Sequence, residues 1–173
     1  MTQGLIHIYC GDGKGKTSAA LGLAVRAAGS GLKVLAARFL KNDRSGEVPV
    51  LEQISGIQVL SCEKSFGFSW TMTPQEKQEA GEYYTGLLRR AFDLGADLDV
   101  LVLDEICGAV SLGFIDEKVL LDALSRKPKG LEVVMTGRNP SEALLELADY
   151  VTEMKALKHP YEKGIEARAG IEY

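Results

Sequence analysis

The sequence has 173 residues and a net charge of −4, and 46% of its residues are hydrophobic while 25% are charged. These values are typical of one folded domain and exclude an intrinsically disordered chain. The acidic balance argues against a nucleic-acid partner, because phosphate backbones recruit basic surfaces. The three widely spaced cysteines exclude a disulfide framework and a structural zinc site. No apolar run reaches the length of a membrane span and no signal segment is visible, so we expect a cytoplasmic protein without a membrane partner.

Short apolar runs alternate with segments of helical pattern along the chain. The apolar runs predict strands at residues 5–9, 34–40, 57–60, 99–103, 131–136 and 150–154. Helices are predicted at residues 16–28, 74–94 and 116–125, and a further helix is predicted to begin with a capping sequence at 139–142. Residues 41–49 and 61–73 are predicted loops, and residues 155–173 form a polar tail. This alternation predicts a single α/β domain over residues 1–173, with a mostly parallel sheet of about six strands flanked by helices.

A glycine-rich segment, CGDGKGKTS at residues 10–18, joins the first predicted strand to the first predicted helix. Its Gly-Lys-Thr end matches a phosphate-binding loop, although Cys10 stands where the usual pattern has its first glycine. Backbone N–H groups and the helix N-terminus would bind phosphate here, Lys16 would neutralise its charge and Thr17 would ligate Mg²⁺. The alternative is a purely structural turn. We favour a nucleotide site, and therefore a P-loop fold of the RecA-like kind, with this set of binding residues: Gly11, Asp12, Gly13, Lys14, Gly15, Lys16, Thr17 and Ser18.

Two further motifs follow predicted strands. Asp104 and Glu105 come directly after the fourth strand, where hard carboxylate oxygens suit Mg²⁺. Which of the two lies closer to the metal stays open. Arg138, in the sequence Thr-Gly-Arg, follows the fifth strand and could reach phosphate with its planar guanidinium, although a surface arginine after a turn is an equal alternative.

The segment Gly67-Phe68-Ser69-Trp70 contains the only tryptophan of the chain within a predicted loop. Aromatic residues in such a loop usually fix it to the core, and the functional alternative is an apolar wall for a large flat ligand. At this point the residues indicate a domain that binds a nucleoside triphosphate with Mg²⁺. Three reactions stay open: hydrolysis, phosphoryl transfer by a small-molecule kinase, or transfer from another part of the nucleotide.

Taken together, several segments of the sequence resemble the ATP:corrinoid adenosyltransferases of cobalamin biosynthesis. The resemblance runs in order from residue 5 to residue 173. It is carried by GDGKGKTSAALGLAVRAAG at 11–29, RFLK at 38–41, GFSW at 67–70, LDEI at 103–106, TGR at 136–138 and KHPYEKGIEARAGIEY at 158–173. The alternative is an ordinary P-loop NTPase or a small-molecule or nucleoside kinase with an unrelated aromatic pocket.

The resemblance implies that Co(I) of a reduced corrinoid attacks the 5′ carbon of the ribose of ATP and that triphosphate leaves. Lys16 and Arg138 would then stabilise the leaving group, with Arg26 near the nucleotide, and Thr17 with Asp104 or Glu105 would hold Mg²⁺. Phe68 and Trp70 match the aromatic pair of the corrinoid pocket, which would exclude the lower axial ligand of Co(II) and ease its reduction. The resemblance also implies a homodimer and a separate reduced flavoprotein as electron donor. Arg38 departs from the family, which commonly has a glutamine there.

Overall fold

The computed structural model describes residues 3–41, 45–64, 66–67, 69–95 and 97–171. Its strands are β1 (Ile6–Cys10), β2 (Val34–Arg38), β3 (Ile57–Leu60), β4 (Val100–Asp104), β5 (Glu132–Thr136) and β6 (Tyr150–Glu153). Its α-helices are α1 (Lys16–Gly29), α2 (Val48–Leu51), α3 (Pro74–Gly95), α4 (Ile106–Ser111), α5 (Glu117–Ser125) and α6 (Glu142–Leu147). A 3₁₀ turn covers Pro160–Lys163.

The strands form one sheet in the order β3-β2-β4-β5-β1-β6, and every neighbouring pair is parallel. This confirms the predicted α/β fold with a mostly parallel sheet. β5 lies between β1 and β4, so the strand that precedes the glycine-rich loop does not pair with the strand that ends in Asp104. The carboxyl ends of these three adjacent strands meet at one edge of the sheet, where ligands of such folds bind.

Helices cover both faces of the sheet, and this explains why β2 and β4 are apolar except at their last residues, Arg38 and Asp104. All five residues of β2 and of β4 are buried. On one face α1 presents small residues, including Ala20 and Ala24, to Val34, Ala36 and other strand residues. On the other face α3 to α6 cover a larger apolar cluster that contains Leu88, Leu101 and Leu120. The central strands β2 and β4 are therefore buried between two apolar clusters.

The capping residues predicted from the sequence are correct at the start of α3 and wrong at the start of α6. At α3, Thr73 Oγ1 accepts a hydrogen bond from Glu76 N (3.2 Å), and Glu76 Oε2 accepts one from Thr73 N (2.7 Å), which confirms the predicted capping box. The predicted cap of α6 at Asn139 is wrong. Asn139 has a left-handed backbone with φ of 51°, and Ser141 caps the helix by accepting a hydrogen bond from Leu144 N.

Two short helices, α2 and α4, were not predicted. They have four and six residues, too few to show a helical period in the sequence. α2 falls partly in the predicted loop at 41–49, and α4 begins directly after Glu105. Within the described residues, none of the helices is both long and apolar enough to cross a lipid bilayer.

Candidate active site

The glycine-rich loop turns sharply between β1 and α1. Gly11 and Gly15 have φ of 100° and 114°, which side chains with a Cβ rarely adopt. The Lys16 side chain folds back so that Nζ donates a hydrogen bond to Gly13 O at 2.7 Å. Only 8% of Lys16 is exposed, and this burial lowers the pKa of its ammonium. The loop thus holds a partly desolvated cation at the N-terminus of α1. The charge of the ammonium and the positive end of the helix dipole both attract an anion.

Residues 153–157, which we call the strap, begin with the last residue of β6 and lie against the glycine-rich loop. Gly13 N donates to Met154 O at 2.7 Å, and a Cβ on Gly11 or Gly13 would lie 2.4 or 2.7 Å from the same oxygen. Ala156 N donates to Asp12 Oδ1 at 3.1 Å, and this hydrogen bond lowers the pKa of Asp12. The alternating glycines therefore make room for the strap backbone as well as for a ligand.

Asp104 is the centre of a hydrogen-bonded group at the carboxyl edge of the sheet. It is 1% exposed, and its Oδ1 accepts hydrogen bonds from Thr17 Oγ1 (2.9 Å) and Thr136 Oγ1 (2.6 Å). Its Oδ2 accepts one from Lys41 Nζ at 3.0 Å. The structure therefore brings together the ends of β2, β4 and β5 and the start of α1 around one carboxylate.

Glu105 follows in a left-handed conformation with φ of 62°. Its backbone N donates to Thr136 Oγ1 at 2.8 Å, and its carboxylate Oε1 lies 4.0 Å from Lys41 Nζ. Burial raises the pKa of Glu105, and the Lys41 charge acts against that rise. Both acidic residues thus face the same ammonium, and Asp104 also contacts Thr17 directly.

These oxygen donors fit Mg²⁺, which prefers hydroxyl, carboxylate and phosphate oxygens. The Lys41 ammonium between Thr17 and Asp104 shows that this position holds a positive charge. In the described part of the chain, no group of three or more His, Cys, Asp or Glu residues could hold a metal. The described side chains thus place the Thr17 hydroxyl and the Asp104 carboxylate side by side as oxygen donors for a cation.

Arg138 is presented beside the loop by a glycine that no other residue could replace without a clash. Gly137 has φ of 140°, and a Cβ there would lie 2.6 Å from Gly108 N. Arg138 is exposed and lines a cleft of about 480 Å³ together with Gly11, Asp12 and the strap. The cleft therefore lies between Arg138 and the glycine-rich loop.

Comparison with known proteins assigns this arrangement to a family. Residues 2–173 match the family model of ATP:corrinoid adenosyltransferase BtuR/CobO/CobP. The chain belongs to that family. A corrinoid adenosyltransferase of Escherichia coli K12 is 35% identical over 176 residues, covering 99% of this chain and 86% of the relative. The Salmonella typhimurium protein named corrinoid adenosyltransferase CobA is 34% identical with the same coverage, and one from Pseudomonas aeruginosa is 34% identical over 99% of this chain and 84% of its own length.

The other arginines and loop residues named from the sequence of this adenosyltransferase family member differ in how close they lie to the glycine-rich loop. Arg26 is exposed in the last turn of α1, about 15 Å from Lys16 along the helix axis, so within one chain it is remote from the loop. Lys14 is exposed on the loop, and Ser18 is exposed in the first turn of α1. Arg38, the departure from the family, is fully buried with Nη1 3.9 Å from Glu47 Oε1.

The aromatic loop divides into two parts. Phe66 packs against Tyr83 and Tyr84, with ring centroids 5.6 Å apart in each case, and so fixes the loop to the core. Trp70 is 77% exposed and does not line the cleft beside Arg138. Phe68 lies outside the described residues. Phe66 is thus the aromatic residue that fixes this loop to the core, while Trp70 presents an apolar surface to solvent.

Sequence reasoning missed three features of the site: Lys41, the hydroxyl of Thr136, and the strap. The first two are polar residues at or just beyond the carboxyl end of a strand, where ligand-binding residues of parallel sheets concentrate. That position is a signal that could have found them. The strap had no comparable signal, because its contacts with the loop are made by backbone atoms of Met154 and Ala156.

Proposed function

We propose that this chain transfers the 5′-deoxyadenosyl group of ATP to the Co(I) of a reduced corrinoid and releases inorganic triphosphate. Membership of the ATP:corrinoid adenosyltransferase family supports the reaction. The observation that carries it in the structure is the buried Lys16 in a phosphate-binding loop, beside the centre formed by Thr17 and Asp104. The family match gives no support to the alternatives of an ordinary NTPase or a nucleoside kinase.

In this reaction the nucleophile belongs to the substrate. The cobalt electron pair forms a bond to the ribose C5′, the C5′–O bond breaks, and its electron pair leaves with triphosphate. The protein therefore needs no activated serine, cysteine or aspartate. Its contribution is orientation of the two substrates and stabilisation of the charge that develops on the leaving group.

The glycine-rich loop is suited to that stabilisation. Backbone N–H groups at the start of α1, the Lys16 ammonium and the Arg138 guanidinium would surround the triphosphate oxygens. The hydrogen bond to Gly13 O uses one of the three N–H donors of the Lys16 ammonium, so the others can donate to phosphate oxygens. Because its ammonium is partly desolvated, its attraction for an anion is stronger than that of a lysine in water.

Thr17 and Asp104 would hold Mg²⁺, with Glu105 close enough to bind a metal-bound water. The ion would neutralise phosphate charge as triphosphate leaves. The chain's own residues set its position, since the Thr136 and Thr17 hydroxyls orient the Asp104 carboxylate. Arg26 has no place in this site within one chain.

We assign the corrinoid to the side of the aromatic loop, with Trp70 and Phe68 as the apolar surface below the ring. The exposure of Trp70 supports this, because an exposed indole can cover a flat ligand without unfolding the loop. A reduced flavoprotein would supply the electron for Co(II). We further propose that the protein is a homodimer and that it works in the cytoplasm. The exposed side chains of Tyr150 and Val151 on the edge strand β6 support the homodimer.

The test is the phosphorus product formed from ATP and Mg²⁺, with and without reduced corrinoid, followed by ³¹P NMR. Inorganic triphosphate that forms only when corrinoid is present is the expected result. ADP and phosphate formed regardless of corrinoid would identify a hydrolase instead. A Lys16→Ala protein serves as the control, because it lacks the buried cation that we propose binds phosphate.

A further inference from the structure

The Lys41 ammonium lies between the same two side chains, Thr17 and Asp104, that we propose as ligands of Mg²⁺. Its Nζ is 2.9 Å from Thr17 Oγ1 and 3.0 Å from Asp104 Oδ2, and it donates a hydrogen bond to each. It also lies 4.0 Å from Glu105 Oε1. A divalent cation that used these oxygens would have to take the place of the ammonium.

Asp104 needs a positive partner when no metal is bound. It is almost completely buried, and its other oxygen accepts hydrogen bonds from two neutral hydroxyls. Within the part of the chain that the structure describes, Lys41 is the cation at salt-bridge distance from Asp104, since Lys16 donates to Gly13 O instead. A buried carboxylate without a counter-charge is strongly unfavourable. Lys41 therefore neutralises the negative charge of Asp104 when no metal is bound.

The backbone around Lys41 is built to place it there. Phe39 is fully buried, and its N–H donates to Asp104 O at 2.8 Å, which ties this segment to the end of β4. Leu40 then adopts a left-handed conformation with φ of 59°, unfavourable for a leucine, and packs against the core. The Lys41 side chain remains 32% exposed, so it can leave the carboxylate without a change in the core.

We propose that Lys41 is the resident counter-ion of Asp104, and that its ammonium and a divalent cation exclude each other at this position. This rests on the proposed function, because it takes Thr17 and Asp104 as the metal ligands. When the metal–nucleotide complex binds, the ammonium moves from Asp104 to the nearby triphosphate oxygens. The site thus rejects the free metal and accepts it together with the nucleotide, whose phosphates give Lys41 a new partner.

The test is binding of Mn²⁺, a paramagnetic substitute for Mg²⁺, measured by EPR titration in the absence of nucleotide. Lys41→Met should bind Mn²⁺ with a Kd at least about tenfold lower than the wild type. Lys33→Met is the matched control. It removes the same charge from the opposite end of β2, where Lys33 is exposed, and it should bind Mn²⁺ as weakly as the wild type.

Two further measurements separate competition from a general change in structure. Lys41→Arg keeps the positive charge and should exclude Mn²⁺ as the wild type does. Mg²⁺ alone should raise the Tm of Lys41→Met and leave that of the wild type unchanged. Should Lys41→Met not fold, Lys41→Gln carries the same expectation.

Equal Mn²⁺ affinity in the wild type and Lys41→Met would overturn the counter-ion assignment, and so would tight binding by Lys41→Arg. Either result would leave the proposed reaction intact as long as the wild type releases triphosphate with corrinoid. The opposite combination is also distinguishable. If the wild type releases no triphosphate but Lys41→Met binds Mn²⁺ more tightly, the proposed reaction is wrong and the counter-ion assignment of Lys41 stands.

Discussion

At the scale of single residues, backbone strain is concentrated at the edge of the sheet that carries the candidate site. In the described part of the chain the residues other than glycine with positive φ are Leu40, Glu105 and Asn139. They follow β2, β4 and β5 at the same edge of the sheet. Each left-handed residue of this kind costs about 1 kcal/mol relative to an ordinary conformation. The fold tolerates that cost at three neighbouring strand ends, and beside them lie Lys41, Asp104 and Arg138.

Lys16→Ala should abolish adenosyl transfer while leaving corrinoid binding largely intact. The ammonium is the buried cation of the phosphate-binding loop, and loss of such a charge at a leaving group typically lowers kcat by about 10²- to 10³-fold or more. Turnover by absorbance of the cobalt product and corrinoid binding by fluorescence would be measured on the same sample. Normal turnover would show that the phosphate assignment is wrong.

Thr136→Val should destabilise the protein by about 1–3 kcal/mol, because the buried carboxylate of Asp104 and the N–H of Glu105 both lose a partner. Valine has the shape of threonine and suits a strand, so packing changes little. Thr152→Val is the control, since Thr152 is exposed on β6 and should change stability by less than about 0.5 kcal/mol. Urea denaturation gives both values, and equal effects would contradict the role of the Thr136 hydroxyl.

At the scale of the elements, the central strands were predictable because β2 and β4 are buried and mostly apolar runs. β3 was predicted with its observed bounds, and β6 was predicted although its four residues are exposed. The order of the strands could not be predicted, since β1 pairs with segments more than 120 residues away and nothing local records that pairing. The same limit applies to the site. Lys16, Thr17 and Asp104 belong to recognisable motifs, whereas the role of Lys41 depends on how β2 and β4 are aligned.

The capping box of α3 gives a pH-dependent contribution to stability. The hydrogen bonds from Thr73 lower the pKa of Glu76 below its ordinary 4.5. The unfolded state therefore binds more protons, so stability from Glu76 is present above pH 4.5 and is lost as the pH falls through the folded pKa. Glu76→Gln should be less stable than the wild type at pH 7, and the difference should disappear at low pH. Glu79→Gln, three residues later on the same helix, is the control, and thermal melts across the pH range give the comparison.

Alanine should have opposite effects on stability at Gly13, which contacts the strap, and at Gly22, which has open space around it. Gly13→Ala should destabilise the protein and weaken ATP binding, because its Cβ would lie 2.7 Å from Met154 O. Gly22→Ala places a Cβ with nothing within 4 Å on the exposed face of α1, and should stabilise the protein by up to about 1 kcal/mol. Denaturation midpoints and ATP titration would test both. Unchanged ATP affinity in Gly13→Ala would mean that the loop does not depend on its contact with the strap.

At the scale of the whole molecule, the site is assembled by the sheet rather than by any single segment. The glycine-rich loop, Thr136 and Asp104 come from three adjacent strands, β1, β5 and β4, which are buried between helices on both faces. Their relative positions are therefore as rigid as the core itself. The strap adds a fourth segment from the far end of the chain, and Lys41 a fifth from the end of β2.

The position of β1 in the sheet also has a consequence for how the chain is made. β2, β3 and β4 pair among themselves and lie within residues 34–104, whereas both neighbours of β1 lie beyond residue 130. A chain emerging from the ribosome can build half of the sheet while its first strand still waits for partners, because the N-terminal part is synthesised first. In refolding of the full chain the same order is expected for a different reason, because β2 and β4 are closer in sequence than β1 and β5, and closing the shorter loop costs less entropy. Pulse-labelled hydrogen exchange should then find the amides of β2 and β4 protected before those of β1. The phosphate-binding loop, although among the first residues synthesised, would then be among the last to become able to bind ATP, and an incomplete chain would not sequester the nucleotide.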